Sequence, residues 1–198
     1  PKILRQESVL LSSPTGTGKT LAGFLGVIDR LYREHVEKKL RVNRIRAIYI
    51  SPLRALTYDI RKNLELPLQG LGVEEEIRVA SRTGDTKQSE RAKTKKKPPH
   101  IFLTTPESLA IILCQTAYRK ALEHCEYVII DELHALAQNK RGNHLMLSLE
   151  RLERLTAKPL CRVGLSATAA PLQLVGEFLM GVGRSCHLVE PEFERKSL

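Results

Sequence analysis

A glycine-rich octapeptide, Ser13-Pro14-Thr15-Gly16-Thr17-Gly18-Lys19-Thr20, follows directly on the apolar stretch Val9-Leu10-Leu11-Ser12. Glycine permits the backbone angles and close approach that let the N–H groups of Gly16, Thr17 and Gly18 turn toward phosphate oxygens. With Thr15 on the same loop, the ammonium of Lys19 reaches β- and γ-phosphates and the Thr20 hydroxyl can ligate Mg²⁺. A helix starting near Thr20 aims its positive N-terminal end at the same place. The chemistry expected is the grip of a nucleotide's phosphates.

The natural complement of such a loop is an apolar strand ending in an acid. Val128-Ile129-Ile130-Asp131-Glu132 supplies one. Asp131 at the strand's carboxyl end can hold Mg²⁺ through water, because Mg²⁺ dehydrates reluctantly. Glu132 beside it can polarise the attacking water as a general base. The bland alternative, two acids that merely end a surface strand, is disfavoured by the loop upstream. Together the two stretches point to a P-loop NTPase.

Positioning these groups requires strands that feed helices, and β-branched runs alternate with helical patterns along the whole chain. Strands are expected over Val9–Ser12, Ile45–Ser51, Ile77–Ser81, Ile101–Thr104, Tyr127–Asp131, Arg162–Ser166 and His187–Val189. Between them lie a helix running to about Glu37 with Leu21, Leu25, Ile28 and Tyr32 on one face, and one from about Arg54 to Leu66. A Lys-rich helix or loop reaches Lys97, and a helix entered at Pro106 runs through Leu113. Further helices cover Asn143–Leu155, with Glu150, Arg151, Glu153 and Arg154 toward solvent, and Leu172–Leu179. Val128, Ile129 and Ile130 are apolar without alternation, as in a parallel strand covered on both faces. Repeated βα alternation therefore predicts an α/β fold with a mainly parallel sheet between helices.

Bulk properties narrow the setting. A chain of 198 residues, 42% apolar and 27% charged, is ordinary for a globular domain that buries roughly 70% of its unfolded surface. No apolar run reaches the length of a membrane span and no signal peptide opens the sequence, so a cytoplasmic setting without membrane contact is expected. Thirty-two basic against 22 acidic residues leave +10, which favours a polyanionic partner. The run Arg91, Lys93, Lys95, Lys96, Lys97 has no interleaved aromatic to stack on a base and reads first as a solvated face. Cys114, Cys125, Cys161 and Cys186 show no CxxC spacing and the six histidines form no HxxxH pair, which argues against a zinc motif and fits reduced thiols, with Cys114 and Cys161 in apolar surroundings. Pro1, in place of a Met, reads as a cut from something longer.

Asp131-Glu132-Leu133-His134 is a variant of the DExH motif II of superfamily 2 helicases, and other motifs of that superfamily stand in order along the chain. Ser13–Thr20 resembles motif I, with Ser13 where a standard P-loop has Gly. Ser51-Pro52-Leu53-Arg54-Ala55-Leu56 resembles motif Ia, Thr104-Thr105-Pro106-Glu107-Ser108-Leu109 resembles motif Ib, and Ser166-Ala167-Thr168 resembles motif III. Arg82-Thr83-Gly84-Asp85-Thr86, Lys140-Arg141-Gly142-Asn143-His144 and the Pro171-Leu172 that follows motif III are similar to the Lhr group of that superfamily. The resemblance covers nearly the whole chain.

What the resemblance implies is a three-layer αβα RecA-like domain over residues 1–190, with 191–198 opening a linker to a second RecA-like domain. It implies ATP and Mg²⁺ as cofactors. Lys19, Asp131, Glu132 and His134 would be catalytic, and Thr15, Gly16, Thr17, Gly18, Lys19 and Thr20 would hold the nucleotide, with Thr20 and Asp131 on the metal. Pro52, Arg54, Thr83, Gly84, Thr105 and Pro106 would grip one nucleic-acid strand, and Ser166 and Thr168 would couple the two sites. The expected partner is single-stranded nucleic acid, DNA ahead of RNA. No GRxGR-type motif VI follows Ser166, so the arginine fingers would come from the second domain, and the chain alone is expected to hydrolyse little. An adenine-reading Q motif would lie upstream of Pro1, since Gln6 stands too close to the loop. An RNA helicase of the same superfamily is the nearest rival, and a noncatalytic ATP-gated binding module is another. The Asp131–Glu132 pair argues against the second. An ABC-type ATPase is disfavoured because no LSGGQ-like signature occurs.

Overall fold

Short apolar runs separated by helical segments leave the chain little choice but to stack its strands side by side and cover both faces. The computed structural model describes residues 2–14, 16–167 and 171–190, without the side chains of residues 54–58. The strands are β1 (Val9–Ser12), β2 (Ala47–Ile50), β3 (Val79–Arg82), β4 (Ile101–Thr104), β5 (Tyr127–Ile130), β6 (Cys161–Ser166) and β7 (His187–Val189). They form one sheet in the order β3-β4-β2-β5-β6-β1-β7, with every adjacent pair parallel. The helices are α1 (Lys19–Val36), α2 (Arg54–Gly70), α3 (Gln88–Lys96), α4 (Pro106–Leu113), α5 (Thr116–Leu122), α6 (Leu133–Ala137), α7 (Lys140–Glu153) and α8 (Leu172–Met180).

Alternation along the strands divides the core in two. Ala47 and Tyr49 of β2 and Tyr127 and Ile129 of β5 pack with Phe24, Val27, Ile28 and Leu31 of α1 and Leu64 and Leu68 of α2. Ile48, Ile50, Val128 and Ile130 face the opposite layer, built from α4, α5, α6, α7 and α8. The three-layer αβα architecture read from the sequence is the one observed. Among the described residues no helix is long and apolar enough to cross a membrane.

Several details depart from expectation. Leu21 and Leu25 are 46% and 54% exposed, because α1 meets the sheet through the turn-spaced set Gly23, Phe24, Val27, Ile28 and Leu31 instead. A Cβ on Gly23 would already lie 3.5 Å from Leu165, so the helix rides close to the sheet there. Helix α2 runs on to Gly70 with Pro67 inside it. Helices α5 and α6, at 7 and 5 residues, are too short to show a period. Cys114 is exposed, whereas Cys125 and Cys161 are buried. Burial pushes both of those thiols up to about 12.

Glu150 and Glu153 do not simply face solvent. Arg162, fully buried in β6, donates to Glu150 Oε1 at 2.7 Å and Glu153 Oε2 at 2.5 Å, and Arg184 joins the same two carboxylates. A buried guanidinium needs such partners, and they tie α7 to the sheet.

Helix α7 begins at Lys140, three residues before the expected start, because the Asn139 side chain accepts from the Gly142 amide at 3.1 Å and caps it. A Cβ on Gly142 would overlap the Leu136 carbonyl oxygen and stand 3.0 Å from Phe178. Gly142→Ala is therefore expected to destabilise the fold by about 3 kcal/mol, read as a lower urea midpoint with unchanged slope. An alanine variant as stable as the parent would mean that α6 and α7 can separate freely.

Candidate functional site

Strand β1 leaves the sheet at Ser12 and the chain re-enters as α1 at Lys19. Gly16 and Gly18 carry the turn with φ of 83° and 82°, angles that cost an L-residue roughly 1 kcal/mol or more. A Cβ on either would meet nothing within 4 Å. The glycines therefore answer to backbone angle and leave the front of the loop open. Ser13, at the position where the general pattern has Gly, bonds through its hydroxyl to Thr17 Oγ1, and Thr17 Oγ1 donates to Pro14 O at 2.8 Å. These contacts brace the loop from within. Thr15 lies outside the described residues.

The loop is also fixed to its neighbour strand. The Ser13 amide donates to Ser166 O at 3.2 Å, and Lys19 Nζ donates to Ser13 O at 2.5 Å and Ser166 O at 2.9 Å. Lys19 thus stands at the junction of the carboxyl ends of β1 and β6, which run in register with Ser12 opposite Ser166. An ammonium has three protons, and these two carbonyls engage two of them.

Beyond β6 lies β5, and Asp131 emerges at its end. The residue is 7% exposed, and its carboxylate accepts from the Glu132 amide at 3.0 Å on Oδ1 and from the Tyr49 hydroxyl on Oδ2. Burial first, and the Asp131 charge second, push the Tyr49 phenol far up, so it remains a donor. Tyr49 was not among the sequence candidates. Its signal was weak but present, since a tyrosine within the apolar run Ala47-Ile48-Tyr49-Ile50 must find a partner for its hydroxyl.

Glu132 sits at φ 48°, a left-handed angle that a glutamate adopts only when its surroundings impose it. Its carboxylate faces His134 Nε2 at 3.4 Å. On the other edge of that ring, Nδ1 accepts from the Ala167 amide at 3.2 Å and lies 3.3 Å from Ser166 Oγ. An acceptor Nδ1 in a neutral ring assigns the proton to Nε2, on the side of Glu132. His134 therefore connects motif II to the end of β6. Ser166 is part of that connection, and Thr168 lies outside the described residues.

A cleft of about 510 Å³ opens in front of these groups, lined by Gly16, Gly18, Lys19, Thr20, Asp131 and Glu132 together with further side chains of α1 and α2, Phe24 and Pro67 among them. A hydroxyl and a carboxylate are hard oxygen donors. Two protein ligands of that kind, with carboxylate lone pairs to spare, suit Mg²⁺, which keeps most of its waters.

The other half of the same sheet edge carries the remaining candidates. Strands β2, β4 and β3 are neighbours, with Ile50 and Arg82 both opposite Thr104. Their ends bring Pro52, Thr105 with Pro106, and Thr83 with Gly84 to one rim. The Ser51 hydroxyl accepts from the Leu53 amide at 3.2 Å and sets the turn at Pro52. The Thr105 hydroxyl, which the sequence offers to a phosphate, is buried and caps α4 by accepting from the Ser108 amide at 3.4 Å. Any contact from this turn must come from its backbone. Arg54 opens α2, and the placement of its side chain lies outside the described residues.

The family model described as DEAD/DEAH box helicase matches residues 1–175. The chain is 50% identical over 209 residues to "ATP-dependent helicase Lhr-Core protein 2" of Thermococcus barophilus, covering 99% of this chain and 24% of that protein. It is 49% identical to "ATP-dependent helicase Lhr-Core" of Methanocaldococcus jannaschii, covering 96% of this chain and 23% of that one. Its fold superposes on the Mycobacterium smegmatis helicase Lhr, solved bound to ssDNA and AMP-PNP, with TM-score 0.84 and 41% identity over 96% of this chain and 24% of that structure's chain. The chain thus spans about a quarter of the length of these relatives. With the ordered motifs, a RecA-like parallel sheet and the convergence of Lys19, Asp131 and His134 on adjacent strand ends, the match over residues 1–175 has one meaning: the chain belongs to the DEAD/DEAH box helicase family.

Proposed function

We propose that residues 1–190 are the first RecA-like motor domain of an ATP-dependent helicase of the Lhr type, with 191–198 leading toward a second such domain. The reading places it in the cytoplasm, acting on single-stranded DNA. The observation that carries the proposal is the sheet order. Strands β1, β6 and β5 are adjacent, so motifs I, III and II share one half of the carboxyl edge, and β2, β4 and β3 bring the strand-gripping turns to the other half.

In this reading the amides of Gly16, Thr17 and Gly18 and the ammonium of Lys19 hold the β- and γ-phosphates of ATP. Thr20 and Asp131 would hold Mg²⁺, which when bound neutralises charge on the phosphate oxygens. Glu132 accepts the proton of the attacking water. His134, bonded on one side to the Ala167 amide and facing Glu132 on the other, links the general base to the end of β6. Turnover by this domain alone is low, because an arginine supplied in trans contributes about 10³–10⁵ in rate where it operates.

DNA is favoured over RNA by the Lhr relatives, one of which is described as bound to ssDNA. Competition of matched single-stranded DNA and RNA for the chain, at stated salt concentrations, is expected to favour DNA. Preference for RNA would instead make it an RNA-remodelling member of the same family.

A further inference from the structure

Helix α3 follows β3 after a short loop, and its basic run does two different things. Lys93, Lys95, Lys96 and Lys97 are exposed. Arg91 turns back on the loop that joins β3 to the helix. Its Nε donates to Thr86 O at 2.8 Å, and its Nη2 donates to Gly84 O at 2.6 Å and Thr83 O at 3.4 Å. One planar guanidinium thus gathers three carbonyl oxygens of a four-residue loop. Inside the loop the Thr83 amide donates to Thr86 Oγ1 at 2.8 Å, and the Thr86 amide donates back to Thr83 O at 3.4 Å.

The electrical consequence bears on what the loop can bind: its exposed Asp85 carboxylate opposes a phosphate, so any attraction has to come from its amides. Carbonyl oxygens carry the negative end of the peptide dipole and repel phosphate, whereas amides and hydroxyls attract it. With three carbonyls drawn toward Arg91, the exposed Gly84 amide, which donates to no acceptor among the described residues, is left on the outer side. A lysine has the same charge but no fork, and cannot serve three acceptors held in that arrangement.

We propose that Arg91 is a positioning residue for nucleic acid: it holds the Thr83–Thr86 loop with its carbonyls inward, so that the loop accepts a strand phosphate that Arg91 itself does not touch. This rests on the nucleic-acid reading given under Proposed function. The basic run that composition assigned to a solvated face therefore contains one residue with a separate task.

The test is anisotropy of a labelled single-stranded oligodeoxythymidylate titrated with the chain, with its Arg91→Ala variant and with its Arg91→Lys variant, across a series of salt concentrations. Both variants are expected to weaken binding about tenfold, the size of effect when charge-assisted hydrogen bonds that shape a site are lost. The salt slope, the affinity for a fluorescent ATP analogue and the unfolding midpoint should all stay at the parent's values. Full affinity in Arg91→Ala overturns the inference. So does a salt slope lower by about 0.7 together with rescue by Arg91→Lys, the signature of a direct phosphate contact. Parallel loss of ATP-analogue affinity and of folding stability would make Arg91 merely structural and also overturn it. If the parent chain binds no oligonucleotide, the nucleic-acid reading falls and takes this one with it. Parent binding with unaffected variants removes only the role of Arg91.

Discussion

Glu132→Gln in a longer chain that carries the proposed second RecA-like domain is expected to leave ATP affinity unchanged and to lower the ATP turnover rate about 10³-fold, within the range for loss of a positioned general base. Glutamine has the shape of glutamate and can still accept from His134 Nε2, which faces Glu132 Oε2 at 3.4 Å. What it cannot do is take a proton from water. The backbone there is already held at φ 48°, and its amide is bonded to Asp131 Oδ1 at 3.0 Å, so the substitution leaves the frame of the site in place. Steady-state hydrolysis with saturating oligonucleotide, alongside equilibrium binding of an ATP analogue, separates the two quantities. A Glu132→Gln enzyme that hydrolyses at the parent rate would remove Glu132 as the base.

The second large effect is expected in the same cleft. Lys19→Ala should weaken ATP binding about 100-fold, equivalent to roughly 3 kcal/mol, the scale for truncating one partner of a hydrogen-bonded charge pair out of bulk water. Two losses combine. The β- and γ-phosphates lose their cation, and the carbonyls of Ser13 and Ser166 lose a shared donor that joins β1 to β6. Isothermal titration with Mg²⁺-ATP reads the first, and a modest fall in the thermal midpoint reads the second. Unchanged affinity in Lys19→Ala would mean that the phosphates sit elsewhere.

Much of this was legible before any coordinates. Short β-branched runs marked the strands, and the ordered motifs singled out Lys19, Thr20, Asp131, Glu132 and His134, which the fold brings to one edge of the sheet; a phosphate cradle and an acid at a strand end each ask for particular residues at particular spacings. Strand order was not legible, since neighbours such as β1 and β6 are brought together by crossovers and not by local pattern. The same limit hid Tyr49, whose partner Asp131 lies on another strand, and Arg91, whose acceptors are backbone carbonyls that any residue possesses. Helical periodicity misassigned Leu21 and Leu25, because the glycine at position 23 draws α1 onto the sheet along a different stripe. Capping also explains why Thr105 reads ambiguously: one hydroxyl can close its own helix or meet a phosphate, and burial decides for the helix.

A crystal structure of this chain with Mg²⁺ and a non-hydrolysable ATP analogue tests the motor reading most directly. The predicted result has the β- and γ-phosphates over the Gly16–Gly18 amides with Lys19 Nζ on them, and the metal between Thr20 and Asp131 with Glu132 facing the γ-phosphate. Phosphates bound away from Lys19, or a metal that ignores Asp131, would contradict it.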